Sequence, residues 1–288
     1  DIQGEQQEFR FSDIETDTIP PKTHKDWMIL LWTLRIAAFI PEVWEAEGFR
    51  SAAGMTFSRI APWVQWPETL LRNFATHLRN EPDVDLTVMD QVAVDESTKY
   101  QHIREQLKHV ECSVLLEPFH EYYKHRRTQA RKLIEIAASE VQNMNCHLDM
   151  ALADNTTWLS EFVGLNVAES EFLLLSLYVR ECATLKAIFN AIPFKGIRKA
   201  SMQLGLILGQ ESAEMQRALS PGSKLHGLGM FRGQYHVSDL DDLIPNDPKI
   251  HSILSMDHKD AESLVSLFLE KSKGTELNAD DFSHLKDA

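Results

Sequence analysis

The sequence predicts a mainly α fold, with a helical N-terminal domain followed by a winged-helix-like domain that has a small β wing. Apolar residues recur at three- and four-residue spacing along most of the chain, which is the period of an amphipathic helix. Within residues 202–219, two such segments meet at Gly209 in the outline of a helix–turn–helix. The residues that follow alternate between apolar and smaller or polar types, as a wing hairpin would: Leu225, Leu228 and Met230.

The amino-acid composition limits the classes of protein to which the chain can belong. The 288 residues are 43% hydrophobic, which is enough for a substantial core. The formal net charge of −14 disfavours broad binding to nucleic acid or to anionic membranes, because such partners attract positive surfaces. Cys112, Cys146 and Cys182 are widely spaced and form no CxxC pair. This odd, sparse count indicates free thiols in a reducing compartment, so a cytoplasmic location is expected.

Residues 1–25 are predicted to be a flexible tail. They are largely polar, include Pro20-Pro21 and carry no signal-peptide pattern. The run that follows, residues 27–43, is the most apolar of the chain, but Arg35 interrupts it. It is also shorter than the ~20 apolar residues that a membrane span needs. A buried helix is therefore predicted, and no membrane partner.

Residues 26–155 are predicted to form the helical domain. Prolines and glycines break residues 26–92 into three or four short helices, and the tryptophans crowded there favour an aromatic core over a ligand cage. Residues 96–153 hold the strongest helical pattern, in which a new helix is expected at Pro118, because proline is tolerated in a first turn. Its two segments form either a hairpin or one kinked rod, and packing within the chain is favoured over pairing with a partner chain.

Residues 156–237 are predicted to form the winged-helix-like domain. One helix is expected over 167–183, with Asn166 as its N-cap. In the helix–turn–helix, the first helix is expected to present one apolar face made of Met202, Leu204, Ile207 and Leu208. Gly209 supplies the freedom of a tight turn, and Gln210 or Ser212 is expected to cap the second helix.

The second helix carries Met215 and Leu219 and is expected to end at the Ser-Pro-Gly sequence of residues 220–222. Leu225 and Leu228, in a wing spanning 224–237, are predicted to bury against those two residues. Residues 238–288 are rich in carboxylates and read as an acidic, extended connector with a weak helix around 261–271.

No catalytic, cofactor or metal residues are predicted. His120 and His125 resemble a zinc-protease motif, but they are five residues apart, whereas HExxH places its histidines four apart on one helix face. The sequence contains neither GxxxxGK[ST] nor GxSxG, the motifs of phosphate loops and of nucleophile elbows. The chain itself is therefore not expected to hydrolyse nucleotides or to carry out acyl transfer.

Two basic clusters are candidates for contacts with a partner. The denser one is predicted to be a solvated helix face: Lys124, Arg126, Arg127, Arg131 and Lys132. The other lies just before the helix–turn–helix, where contact with a phosphate is geometrically feasible: Lys195, Arg198 and Lys199.

The outer face of the second helix is the other candidate surface. It exposes Glu211, Ser212, Glu214, Gln216 and Arg217. The two glutamates repel phosphates, and Arg or Lys base readers are scarce. A winged helix that contacts a protein, through Gln216 and Arg217, or that serves as a spacer is therefore favoured, with a winged-helix DNA-binding regulator as the alternative.

From Asn166 onward, three stretches carry a family resemblance: LNVAESEFLLLSLYV, LGLILGQESAEMQRALSPGSKLHGLGMF and LNADDFSHLKDA. Their order resembles the region that precedes the ATPase core of bacterial AAA+ proteins, and Leu277, Phe282 and Leu285 match its apolar positions. The resemblance implies a substrate- or partner-recognition or regulatory region that has no catalysis of its own. It also implies a protein substrate or adaptor as partner, and ATP and Mg²⁺ as cofactors of the full-length protein only.

Overall fold

The computed structural model describes residues 9–10, 21–45, 49–61, 63–66, 116–144, 149–229 and 248–268. This part of the chain is mainly helical, as predicted. Its helices are α1 His24–Phe39, α2 Glu42–Glu45, α3 Phe49–Ile60, α4 Leu116–His125, α5 Arg127–Gln142, α6 Ala151–Val163, α7 Val167–Glu181, α8 Ala183–Asn190, α9 Ile197–Leu208, α10 Ser212–Ala218, α11 Lys224–Gly227, α12 Pro248–Leu254 and α13 Ala261–Val265.

One strand of a two-stranded pair lies within the predicted tail. Strand β1 (Phe9–Arg10) pairs antiparallel with β2 (Gln65–Trp66), and Phe9 is opposite Trp66. The prediction of a flexible tail is therefore wrong for residues 9–10, because backbone pairing with a distant segment holds them. It is also wrong for residues 24–25, which already belong to α1. The rest of residues 1–20 lies outside the described part.

Helix α1 lies between two sets of helices. Thr23 caps it, because its Oγ1 accepts a hydrogen bond from the Asp26 N–H at 3.0 Å. The apolar side chains of α1 are buried on nearly all sides, which confirms the prediction of a buried helix. No helix among the described residues is long and apolar enough to cross a membrane.

Side chains of α1 contribute to two core clusters. Trp32 enters a cluster that also contains residues of α6 to α13, whereas Leu34 enters a second cluster with α3, α4 and α5. The predicted domain boundary at residues 155 and 156 lies inside α6, and the first cluster contains α6 residues from both sides of it, Leu152 and Leu159.

Local signals placed several helix ends correctly. Pro118 lies in the first turn of α4, and the chain leaves helical geometry at Arg126 before α5 begins. Asn166 caps α7 as predicted. Its side chain accepts from the Glu169 N–H at 2.9 Å, and the Glu169 carboxylate accepts from the Asn166 N–H at 2.9 Å.

Helices α9 and α10 meet at a tight turn. Gly209 ends α9 with φ +71°, a left-handed conformation that favours glycine. The N-cap of α10 is Glu211, which makes no side-chain capping bond, so the expectation of Gln210 or Ser212 in that position is wrong. Met202 is 48% exposed rather than part of the apolar face, because it lies about 200° around the helix from Leu204.

The first part of the predicted wing is helical. Ser223 Oγ accepts from the His226 N–H at 3.2 Å and caps α11, so residues 224–227 form a helical turn and not a strand. Leu225 is buried as predicted, but Leu228 is 45% exposed. Residues 230–237 of the wing lie outside the described part.

The predicted connector contains packed helices. Leu254 of α12 and Leu264 of α13 are fully buried in the first core cluster. The Asn155 amide of α6 donates to the carbonyl oxygens of Leu254 at 2.9 Å and Met256 at 2.8 Å. The prediction of an extended connector is therefore wrong for residues 248–268, and the weak helix expected there is α13.

Candidate partner-binding surface

Helix α9 presents a line of exposed side chains, which we call the α9 stripe: Arg198, Met202 and Leu206. These residues are four apart and therefore lie on one helix face. The Met202 and Leu206 side chains are 48% and 39% exposed. Exposed apolar side chains that recur along one helix face form the kind of surface that binds other proteins.

The opposite face of α9 is fixed in the core. Leu204 and Ile207 are fully buried. A Cβ atom at Gly205 would lie 2.8 Å from the carbonyl oxygen of Gln210, so only glycine permits this close approach between α9 and the turn. The Gln210 N–H donates to the Gly205 carbonyl at 2.8 Å. The α9 stripe is therefore held on a rigid support.

The predicted contact residues fall into two groups. Lys195 and Arg198 are exposed at the beginning of α9, whereas Lys199 donates to Glu42 of α2 at 2.6 Å. Gln216 and Arg217 are exposed on α10, as predicted. Lys195 and Arg198 thus face solvent, whereas Lys199 forms an ion pair.

The pKa of Glu42 reflects that ion pair. Partial burial opposes ionisation of this carboxyl, but the hydrogen bond and charge of Lys199, a backbone hydrogen bond and the charge of Arg127 together hold the pKa below its ordinary value. Glu42 is therefore ionised at neutral pH, and its carboxylate already accepts a hydrogen bond from Lys199 Nζ at 2.6 Å.

A cleft between α1, α5 and the α9–α10 turn was not anticipated from the sequence. We call it the Arg35 cleft. It has a volume of about 380 Å³ and a largely apolar lining. The lining includes Arg35 and Phe39 of α1, Ala138 and Gln142 of α5, and Leu206 and Gly209 at the end of α9. Leu206 also belongs to the α9 stripe, so the stripe leads into the cleft.

Arg35 holds these three segments together. Its Nη1 donates to the carbonyl of Ile207 at 2.9 Å, and its Nη2 donates to Gln142 Oε1 at 3.2 Å. The cation therefore lies at the carboxyl end of α9, where the helix dipole is negative. The sequence signal for this role was an arginine that interrupts the most apolar run of the chain.

Burial perturbs the titration of Arg35 and of a nearby acid. Desolvation lowers the pKa of Arg35, and the charge of Glu171 opposes this shift. Desolvation raises the pKa of Glu171, and the charge of Arg35 opposes that shift. A guanidinium still keeps its charge at neutral pH. The cleft therefore presents a poorly hydrated cation beside apolar walls.

A second cation lies next to the cleft. The Arg131 guanidinium is 4.9 Å from the centroid of the Phe39 ring, and its Nε donates to Glu135 at 2.6 Å. The whole of the first basic cluster on α4 and α5 is exposed, which confirms the predicted solvated face: Lys124, Arg126, Arg127, Arg131 and Lys132.

One group of potential metal ligands lies on α4. Single ligand atoms of Glu117, His120 and Glu121 lie within 4.8 Å of one another. His120 Nε2 already contacts the Trp44 carbonyl oxygen at 3.0 Å, and Glu121 accepts from Lys124 at 2.7 Å. Because exposed carboxylates one turn apart are common on helices, this group does not define a metal site.

No protein family, no curated protein and no solved structure gives a match to the chain.

Proposed function

We propose that this chain is a substrate- or partner-recognition or regulatory region that acts N-terminal to the ATPase core of a bacterial AAA+ protein. It binds a protein through the α9 stripe and the outer face of α10, and it carries no catalysis of its own. The observation that carries the proposal is the exposed α9 stripe, supported from behind by a buried face and continuous with the Arg35 cleft.

The geometry of the α9–α10 pair supports protein recognition. Exposed apolar residues on a rigid helix lose little conformational entropy on binding, and arginine is enriched at protein interfaces. The winged-helix character of the region, its cytoplasmic location and the binding of ATP and Mg²⁺ by the full-length protein are parts of this proposal. They rest on the sequence resemblance.

Site-specific photo-crosslinking tests the recognition role. A photoreactive amino acid replaces Met202 in one variant and Thr128 of α5, an exposed residue outside the stripe and the cleft, in a matched control. In extracts of the native host, the Met202 variant is expected to crosslink one defined protein that the Thr128 variant does not. Equal crosslinking patterns at both positions would contradict the proposal.

The AAA+ part has a separate test. The proposal predicts that the codons following Ala288 in the gene encode a strand and a GxxxxGK[ST] loop within about a hundred residues. A coding sequence that continues without that loop would contradict the proposed link to an AAA+ ATPase core, but it would not contradict the recognition role.

DNA binding is the alternative function. The observation in its favour is the exposure of Lys195 and Arg198 at the beginning of α9. Against it, Glu211 and Glu214 lie in the first turn region of α10, where they repel phosphates. A regulator of this kind would bind duplex DNA at ~50 mM salt and lose affinity steeply as salt rises. We expect no such binding.

A further inference from the structure

We propose that the Arg35 cleft receives an apolar side chain from an acidic segment of the protein partner, with a carboxylate of that segment facing Arg35. This inference rests on the proposed function and specifies the chemistry of the partner. The cleft and the α9 stripe form one continuous surface through Leu206, so one extended or helical segment can contact both.

The shape of the cleft suits an inserted side chain. Its volume of about 380 Å³ lies at the lower end of the range for ligand pockets, roughly 300–1,000 Å³. Phe39, Ala138 and Leu206 supply apolar walls, and Gly205 and Gly209 add none of their own side-chain bulk. A leucine or phenylalanine of a partner would be buried there, as anchor residues are at the centre of protein interfaces.

The charges around the cleft select an acidic partner. Arg35 is partly buried within it, and Arg131 lies over Phe39 at its edge. Glu135 is the lining carboxylate, and Arg131 already pairs with it at 2.6 Å. Within the described part of the chain, Arg35 donates only to the uncharged Ile207 carbonyl and Gln142 amide oxygen. Glu171 acts on its charge from beyond ion-pair distance, so this cation can still take a carboxylate. The exposed Arg198 adds positive charge to the α9 stripe.

The position of Arg35 favours the binding of an anion by its guanidinium group. Its hydrogen bonds to Ile207 and Gln142 fix the guanidinium plane, so little side-chain entropy is lost when an anion binds. Arginine has five N–H donors in a rigid fork that matches a carboxylate. A carboxylate beside this partly desolvated cation is also less screened than one at an open surface.

Fluorescence anisotropy with defined peptides tests the proposal. The probe is a fluorescein-labelled peptide GSDLFDDSG. One control, GSNLFNNSG, removes the carboxylates, and the other, GSDSSDDSG, removes the apolar side chains. The 288-residue chain is expected to bind the probe at least about tenfold more tightly than either control at low salt.

Two variants locate the binding in the cleft without disturbing the core. Ser139 is exposed and lines the cleft, so Ser139→Trp fills it, and Thr128→Trp is the matched control on the same helix. Gln142→Glu places a carboxylate against Arg35. We expect Ser139→Trp to weaken probe binding about tenfold and Thr128→Trp to leave it unchanged. Gln142→Glu should weaken binding of the acidic probe about threefold and leave that of the asparagine peptide unchanged.

Three results would overturn the proposal. They are equal binding of all three peptides, probe binding that survives Ser139→Trp, and self-association of the chain that Ser139→Trp abolishes, because a second copy would then be the occupant. Crosslinking at Met202 separates this failure from failure of the proposed function. If Met202 crosslinks one defined protein but the acidic peptide does not bind the cleft, only the proposed cleft chemistry is contradicted. If neither the crosslink nor peptide binding is observed, the recognition role is contradicted as well.

Discussion

Glu169 illustrates how one side chain determines local structure at the residue scale. Its carboxylate is buried and accepts from the Asn166 N–H at 2.9 Å and from the Lys224 N–H at 2.8 Å. The first bond completes the cap of α7, and the second fixes the beginning of α11. Lys224 also donates through Nζ to the Gly164 carbonyl. These contacts explain why residues 224–227 form a helical turn.

Replacing this carboxylate should therefore be costly. In Glu169→Gln, the amide group would turn a donor toward one of two backbone N–H donors. We expect a loss of about 1.5–3 kcal/mol in the free energy of unfolding, the range for hydrogen bonds to charged groups. Urea denaturation checks this result, with the exposed Glu161→Gln as control. A loss equal to that of the control would show that the cap and the α11 anchor contribute little.

The two faces of α10 should differ sharply in their contribution to stability. Leu219, which directly follows the helix, is 1% exposed, whereas Gln216 is fully on the outer face. Truncating Leu219 to alanine should cost about 2–5 kcal/mol, and Gln216→Ala should change stability by no more than about 0.5 kcal/mol. Chemical denaturation of both variants measures the difference. Similar losses would mean that the faces are misassigned.

His24 gives the protein a stability that depends on pH. Its Nδ1 lies 3.0 Å from the Tyr178 hydroxyl oxygen, and burial lowers its pKa, opposed in part by the charge of Asp154. The unfolded chain therefore binds this proton more readily than the folded chain does. The stabilising contribution is complete above the unfolded pKa of 6.5 and is lost as pH falls through the lower folded pKa.

Urea denaturation at about pH 7.5 and about pH 5.5 is the corresponding measurement. The free energy of unfolding should be lower at the acidic pH, and His24→Gln should reduce that difference. The pKa of His120 is also lowered, by burial and by Lys124, so a part of the pH dependence should remain in the variant. An unchanged pH dependence in His24→Gln would contradict the assignment to His24.

At the scale of the element, the turn between α9 and α10 depends on a left-handed residue. Gly209 has φ +71°, and a Cβ atom there would lie 3.1 Å from the Arg35 guanidinium. We expect Gly209→Ala to cost about 1–2 kcal/mol from backbone strain. Gly227, inside α11 with open space around it, is the control, and alanine there should be neutral or stabilising by up to about 1 kcal/mol. Thermal denaturation distinguishes the two variants. Equal shifts in melting temperature would contradict backbone strain at Gly209→Ala.

Elements defined by nearby residues were predictable from the sequence. The Asn166–Glu169 cap and Pro118 in a first turn depend on residues within one helical turn of each other, so the pattern alone locates them. The wing was not predictable. The alternation at residues 224–229 is compatible with a strand. Ser223 caps the helical turn locally, but the hydrogen bond that anchors the turn to α7 joins Lys224 to a residue 55 positions away.

The candidate surface was predictable only in part, for the same reason. The exposure of Gln216 and Arg217 follows from helical periodicity, and so does that of Arg198. The Arg35 cleft is formed by segments that meet only in the folded chain, and one of its bonds joins Arg35 to a residue 172 positions away. The sequence shows that Arg35 lies within an apolar helix, but it does not show which groups Arg35 contacts.

At the scale of the whole molecule, the C-terminal helices belong to the packed structure. Asn155 of α6 binds the end of α12 through bonds spanning 99 and 101 residues, and the Glu181 carboxylate of α7 contacts both Lys25 at 2.6 Å and His251 at 3.2 Å. Burial of Leu254 and Leu264 completes this packing. Composition suggested a connector because acidic residues are frequent there, but a few apolar residues suffice to dock the segment.

The same packing leaves α9 as an outward-facing helix on a continuous core. Its inner residues share a cluster with α1, α7 and α10, whereas its stripe faces solvent beside the Arg35 cleft. The proposed recognition role therefore places the partner on the outer face of a helix whose inner face is fixed in the core.

Methyl NMR titration with the peptide GSDLFDDSG tests whether the α9 stripe beside the Arg35 cleft binds an acidic segment. The methyl groups of Met202 and Leu206 can be compared with those of Leu228 and Met256, which are similarly exposed elsewhere on the chain. We expect saturable shifts of the Met202 and Leu206 signals at peptide concentrations that leave Leu228 and Met256 unchanged. Equal shifts of the methyl signals of all four residues, or larger shifts at Leu228 and Met256, would contradict it.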